Sequence, residues 1–148
     1  MTDSARTPTH LWIVGGLSLL WNCFAGYDYT MSRMRNLDHL ASMGGDPNQI
    51  LAYMDSMAIW AQFGWGLGVW AALLGSILLL MRNRYAVHAF AASLVGMALS
   101  FGWQYFGGTK MPPEMTEGGM QYIPLVIIAL GVAQLSYAWR EREKGVLR

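Results

Sequence analysis

Four long apolar runs follow one another along the chain, separated by shorter polar stretches, at residues 11–31, 57–81, 85–106 and 122–139. A helix needs about 20 residues to cross the roughly 30 Å of hydrocarbon in a bilayer, and each run comes close to that length or exceeds it. Because lipid offers no hydrogen-bond partners, such runs must satisfy their own backbone groups as helices. The pattern predicts an all-α membrane protein, one four-helix transmembrane domain over residues 1–148.

The stretch between the first two runs, residues 32–56, also keeps helical spacing of apolar positions. Gly44 and Gly45 are typical of a helix end, whereas Asp46 and Pro47 suit the cap and the first position of a new helix. We therefore expect helix 1 to run over residues 8–43 and helix 2 over residues 47–81. Both would extend beyond the bilayer as a long external helical hairpin, over about residues 32–56.

Small residues recur every three or four positions along the predicted helices, and this spacing lets helix backbones approach closely. The positions are Gly15, Ser18, Asn22 and Gly26 in helix 1; Gly64, Gly68, Ala72 and Gly75 in helix 2; and Ala92, Gly96 and Ser100 in helix 3. The stripes predict a tightly packed helix bundle.

Four polar side chains mark the candidate ligand-binding site of the outer half: Asn22, Asp28, Gln62 and Gln104. Asn22 shares the small-residue stripe of helix 1, so it either forms an interhelical hydrogen bond or contacts a ligand. Asp28 points about 120° away from it. This carboxylate is either a rim acid, solvated or paired with Arg33 or Arg35, or a functional acid at the membrane boundary.

Composition narrows the possible functions. The chain is 54% hydrophobic and 13% charged, where a soluble domain has about 25% charged residues. A net charge of +1 disfavours nucleic acid as a partner. One cysteine, Cys23, and three scattered histidines do not form a metal or haem site, and no nucleophile–base spacing is present. We expect neither an enzyme nor a resident cofactor or metal.

Lys and Arg mark the cytoplasmic side of a membrane protein. With the N-terminus inside, seven of them fall on the inner side and three on the outer side. The inner set is Arg6, Arg82, Arg84, Arg140, Arg142, Lys144 and Arg148; the outer set is Arg33, Arg35 and Lys110. The distribution predicts that both termini are cytoplasmic.

Several stretches resemble one bacterial family of small four-helix inner-membrane proteins, which is often labelled "sugar transporter". They are "LWN" at 20–22, "GYDYTMSRMRN" at 26–36, "GVWAALLGSILLLMRNR" at 68–84, "AFAASL" at 89–94 and "GVLR" at 145–148. The resemblance implies a bacterial inner-membrane location and four helices. It implies no catalytic residues.

Two functions are compatible with these features. The first is a membrane-embedded interaction or assembly protein that contacts lipid and binds itself or another membrane protein. The alternative is a transporter of small, sugar-type solutes that acts as an oligomer, because four helices are few to enclose a path.

Overall fold

Helices account for all the regular structure that the computed structural model shows in residues 7–148, the part of the chain that it describes. The α-helices are α1 (Thr9–Arg33), α2 (Leu37–Ser42), α3 (Pro47–Ser56), α4 (Ile59–Leu80), α5 (Ala86–Phe106) and α6 (Ile123–Glu143), and two 3-10 turns, Pro113–Met115 and Gly118–Tyr122, precede α6. No strand occurs within the described residues, so the all-α prediction is confirmed. Arg6, counted above for orientation, lies outside them.

Three segments are long and apolar enough to cross a membrane: Ile59–Leu80, Ala86–Phe106 and Gly118–Glu143. They coincide with the second, third and fourth predicted spans. The first predicted span, within α1, is not among them, because Gly, Asn and Asp residues lower its mean hydropathy. Three helices of this length and composition indicate a membrane protein, and a fourth span stays a prediction.

The prediction of two continuous long helices is wrong. Helix α1 ends at Arg33, and Arg35 adopts a left-handed backbone with φ of 56°. The Asn36 side chain then caps a new helix by accepting a hydrogen bond from the His39 backbone N–H at 2.9 Å. The chain thus turns after α1 and continues as the six-residue α2.

The second break separates α3 from α4. Gly44 has positive φ (91°) and, as predicted, Asp46 caps α3 with Pro47 at its start. Helix α3 nevertheless ends at Ser56, and the extended backbone of Met57 and Ala58 precedes α4. Two short helices joined by turns therefore replace the predicted hairpin.

The long helices pack in the order α1, α4, α5, α6, with the most extensive contact between α4 and α5. Glycines make that contact possible. A Cβ atom added to Gly96 would lie 2.6 Å from the Gly64 carbonyl oxygen, and one added to Gly64 would lie 2.6 Å from the Leu99 Cβ atom. Only hydrogen atoms fit between these backbones, so α4 and α5 meet at a distance that larger side chains exclude.

Each end of the bundle has its own apolar cluster. At the end that carries α2 and α3, which we call the cap end, Tyr53, Ala61 and Trp103 pack together. At the opposite end the C-terminal residues fold back onto the helices, and we call it the tail end. Its buried cluster consists of Leu11, Leu79, Ala86, Val87, Phe90, Ala138, Val146 and Leu147.

The outward surfaces of the long helices are strongly apolar. Trp12, Ile13, Leu17 and Phe24 of α1 are exposed, as are large apolar residues of the other long helices, including Phe63, Trp70, Val95, Leu125, Val126 and Val132. A contiguous apolar surface of this kind marks contact with lipid or with another protein.

Candidate functional site

Asn22 lies within the contact between α1 and α4, where it is 4% exposed. Its side-chain amide donates hydrogen bonds to the Ala72 carbonyl oxygen at 3.1 Å and to the Ser76 hydroxyl oxygen at 2.8 Å. Ser76 in turn donates to the same carbonyl. Both hydrogens of the amide nitrogen are therefore engaged by α4, and Asn22 joins two helices.

The small residues beside Asn22 define the buried face of α1. Gly15, Ser18 and Gly26 are buried with it, and on α4 the buried face includes Gly64, Gly68, Ala72 and Gly75. On α5 the buried small residues include Ala89, Ser93 and Gly96, whereas Ala92 and Ser100 of the predicted stripe are only half-buried. The observed buried stripe of α5 thus shares Gly96 with the predicted one, but Ala89 and Ser93 take the places expected for Ala92 and Ser100.

Asp28 contacts a residue of the next helix. Its carboxylate oxygen lies 2.9 Å from the His39 Nε2 atom, with 34% of the Asp28 side chain and 14% of the His39 side chain exposed. The Tyr27 ring meets the His39 ring edge to face, at 5.7 Å between centroids. The turn after α1 brings α2 back toward α1, so the partner of Asp28 is His39 and neither Arg33 nor Arg35.

The two arginines after Asp28 have other partners at the cap end. Arg33 donates to the Gln62 side-chain oxygen at 2.9 Å, and Gln62 donates through its amide nitrogen to the Met57 carbonyl oxygen at 2.9 Å. Arg35 forms an ion pair with Asp55 of α3. These contacts tie the end of α1 to the start of α4 and to α3.

Gln104 belongs to a third location, on α5. Its amide nitrogen lies 3.4 Å from the Met111 sulfur. Trp103, next to it, packs against Tyr53 of α3 at 5.7 Å between ring centroids. Burial among these apolar groups raises the pKa of the Tyr53 hydroxyl above its usual value of 10.0.

The four residues of the predicted polar site therefore do not converge. Asn22 faces α4, Asp28 faces α2, Gln62 bridges Arg33 and Met57, and Gln104 contacts Met111. Within residues 7–148, no group of three His, Cys, Asp or Glu side chains is arranged to hold a metal ion. The contacts that these four side chains make join neighbouring segments of the chain.

A second polar cluster, at the tail end, was not predicted. Glu141 is 1% exposed; one carboxylate oxygen accepts from the Lys144 ammonium at 2.7 Å, and the other has no hydrogen-bond partner among the described residues. Nearby on α6, Tyr137 shares a hydrogen bond with His10 of α1. In the sequence Glu141 lies among charged residues, which favours a solvated side chain. Its burial is apparent only once the tail is seen to fold back over it.

The tail closes over this end through backbone contacts. Val146 N–H donates to the Glu141 carbonyl oxygen at 3.0 Å, Arg148 N–H donates to the Arg82 carbonyl oxygen at 2.8 Å, and Arg84 N–H donates to the Arg148 carbonyl oxygen at 2.9 Å. Val146 and Leu147 are buried. The apolar pair between charged residues is the sequence signal that could have indicated this contact.

With the geometry of both ends described, the chain was compared with known protein families, curated proteins and solved structures, and no match was found in any of the three.

Proposed function

We propose that this chain is a membrane-embedded interaction or assembly protein of the bacterial inner membrane, with both termini cytoplasmic. The observation that carries the proposal is that each of the four candidate polar residues already has a partner within the chain, and that these partners differ. What the chain offers to other molecules is mainly apolar helix surface. Such a surface suits lipid along the spans and a protein partner at their ends.

We also propose that α1 is a fourth span. Its 25 residues would extend about 37 Å, more than the roughly 30 Å of hydrocarbon. Its polar positions Ser18 and Asn22 face α4, while Trp12, Leu17 and Phe24 face outward. An apolar exterior with a polar stripe against a neighbouring helix is the arrangement that lipid favours.

The surface best suited to a partner lies at the joint between α1 and α2. Met34 and Leu37 are 71% and 54% exposed there, beyond the end of α1. The ion pair of Arg35 with Asp55 and the contact of His39 with Asp28 hold this segment in place. A partner, either a second copy or another membrane protein, would bury this apolar pair without first ordering a flexible loop.

The test is purification in native lipid nanodiscs, followed by mass spectrometry of every protein that accompanies the chain. The double variant Met34→Ser, Leu37→Ser should lower the recovery of the partner or of the second copy. Met120→Ser, which changes another exposed methionine near the start of α6, is the matched control and should leave recovery unchanged. Equal recovery from all three proteins would contradict the proposed contact surface.

A solute carrier of the sugar type is the second candidate, and the resemblance to proteins with that label is what favours it. Its site would have to be completed by a second copy, because the candidate residues of one chain do not converge. Proteoliposomes of wild type and Asp28→Asn test it with radiolabelled sugars. Uptake that depends on Asp28 would replace the interaction proposal, and no uptake by either protein would count against the carrier.

A further inference from the structure

A small open cavity lies at the tail end, where the connection between α4 and α5 meets the C-terminal tail. Met81, Arg82, Asn83 and Arg148 line it, and its volume is about 260 Å³. Both flanking helices are long and apolar enough to cross a membrane. The cavity therefore lies at the level where two spans would meet the lipid headgroups.

The fold builds this cavity from distant parts of the chain. Arg82 adopts a left-handed backbone with φ of 58°, which is uncommon for a residue with a side chain. The backbone bonds of Arg148 to Arg82 and Arg84 hold this turn, and burial of Val146 and Leu147 fixes the tail that supplies Arg148. Two arginines 66 positions apart are thus brought to one cavity.

None of the four residues that line the cavity has an acidic side chain. Arg82 Nε makes one long contact, 3.4 Å, with the Val146 carbonyl oxygen, and its Nη2 atom is buried with no acceptor among the described residues. Glu141, the buried acid of this end, is paired with Lys144 and forms no ion pair with Arg82. A buried donor without an acceptor costs about 1–3 kcal/mol, more for a charged group.

We propose that this cavity binds the phosphate of an anionic lipid headgroup. Guanidinium groups present their donors in a planar fork that matches phosphate oxygens, and two arginines line this cavity. The volume is below the roughly 300–1,000 Å³ of sites for drug-sized ligands, so it suits a headgroup whose acyl chains remain in the bilayer. Basic pockets between helices at the membrane boundary are recognised lipid-phosphate sites. The inference does not depend on the proposed partner function.

The experiment uses the full chain in detergent, incubated with equimolar phosphatidylglycerol and phosphatidylcholine, with bound lipid counted by native mass spectrometry. Wild type should retain phosphatidylglycerol in preference to phosphatidylcholine. Arg148→Gln should reduce that preference about fivefold, equivalent to roughly 1 kcal/mol for one basic contact. Arg148→Gln keeps the backbone hydrogen bonds of the tail, so it should fold like wild type. Arg82→Gln is the second variant and should lower the same preference. Arg140→Gln removes an exposed charge of α6 outside the cavity and should change nothing.

Two results would overturn the inference. If Arg140→Gln lowers phosphatidylglycerol retention as much as Arg148→Gln, the attraction is general surface charge and not this cavity. A parallel arm measures thermal unfolding with inorganic phosphate alone. If free phosphate stabilises wild type but not Arg148→Gln, while phosphatidylglycerol shows no preference, the cavity binds free phosphate and the lipid assignment is wrong.

Discussion

Helix α4 makes two contacts of very different character, one with α5 and one with α1. Against α5 the backbones of Gly64, Gly68 and Gly96 meet with no room for a Cβ atom at Gly64 or Gly96. Against α1 the close neighbours are side-chain atoms: a Cβ atom on Gly15 would lie 2.6 Å from the Leu80 Cδ2 atom, and one on Gly26 would lie 3.9 Å from the nearest atom of Leu73. The hydrogen bonds of Asn22 provide the specific attachment.

The difference teaches how a small bundle is assembled in lipid. Between apolar helices in a bilayer there is little hydrophobic driving force, so close packing and interhelical hydrogen bonds must supply the association. The α4–α5 pair relies mainly on close backbone packing, to which the Ser93 hydroxyl adds one hydrogen bond, donated to the Gly68 carbonyl oxygen at 2.7 Å. The α1–α4 pair relies mainly on the two hydrogen bonds of Asn22. Three substitutions test this contrast and a fourth extends it to the cap end, in order of decreasing expected effect.

Gly96→Ala should have the largest effect. The added methyl group meets the Gly64 carbonyl oxygen at 2.6 Å, and backbone cannot move aside as a flexible side chain can. We expect a loss of about 1–3 kcal/mol in the free energy of unfolding, measured by denaturation in detergent. Gly102→Ala in the same helix is the control, because nothing lies within 4 Å of that position. An equal loss in both variants would show that the close α4–α5 contact is not what matters.

Asn22→Ala should cost about 1 kcal/mol, because two interhelical hydrogen bonds disappear. The Ser76 oxygen loses its donor, but the Ser76 hydroxyl still donates to the Ala72 carbonyl oxygen, so each of these buried groups keeps one hydrogen bond. Cys23→Ala, at the exposed neighbouring position, is the control. An unchanged unfolding midpoint for Asn22→Ala would contradict the proposal that hydrogen bonds of Asn22 hold α1 against α4.

Gly26→Ala should act in the opposite direction to Gly96→Ala. The methyl group would make only ordinary contacts at 3.9 and 4.0 Å, while alanine favours the helix by up to about 1 kcal/mol over glycine. We expect a gain of about 0.5 kcal/mol in the same unfolding assay. A loss as large as that of Gly96→Ala would mean that the two interfaces are equally tight.

Asp28→Asn should have the smallest effect, a few tenths of a kcal/mol, because the pair with His39 is partly exposed. The loss should fall on the cap end, seen as faster hydrogen exchange of α2 amides without a change in α4. Glu117→Gln, which changes an exposed acid outside α2, is the control. Faster exchange throughout α1 and α4 would indicate that Asp28 supports the whole bundle.

The sequence predicts the helices of the bundle well, because lipid-length apolar runs and small-residue spacing are local patterns. The face defined by Gly15, Ser18, Asn22 and Gly26 is the buried face of α1. The start of α3 could likewise be predicted, because Asp46 favours the N-cap and Pro47 the first position of a helix.

The cap end is less predictable for physical reasons. Arg35 favours helix and gives no sign of its left-handed backbone, and Ala58 precedes α4 without a capping side chain. Only Asn36, a good N-cap residue, could have indicated that α1 does not continue. Because the chain turns there, residues close to Asp28 in sequence are not its partners in the fold. Asp28 contacts His39 and not an arginine.

The tail end escaped prediction because its contacts join residues far apart in the chain. Arg82 and Arg148 come together only when the tail folds back, and Glu141 is buried by the same step. From the sequence alone, charged residues near a helix end are expected to be solvated, because the contact of the tail with the rest of the fold is not visible there.

The mass of the wild-type particle in native nanodiscs tests the central claim most directly. One chain has a mass of 16.5 kDa. The account predicts a protein mass that corresponds to two or more copies, or to one copy with a defined membrane partner, and a loss of that added mass in the Met34→Ser, Leu37→Ser variant. A protein mass of 16.5 kDa alone, with only lipid accompanying the chain, would contradict it.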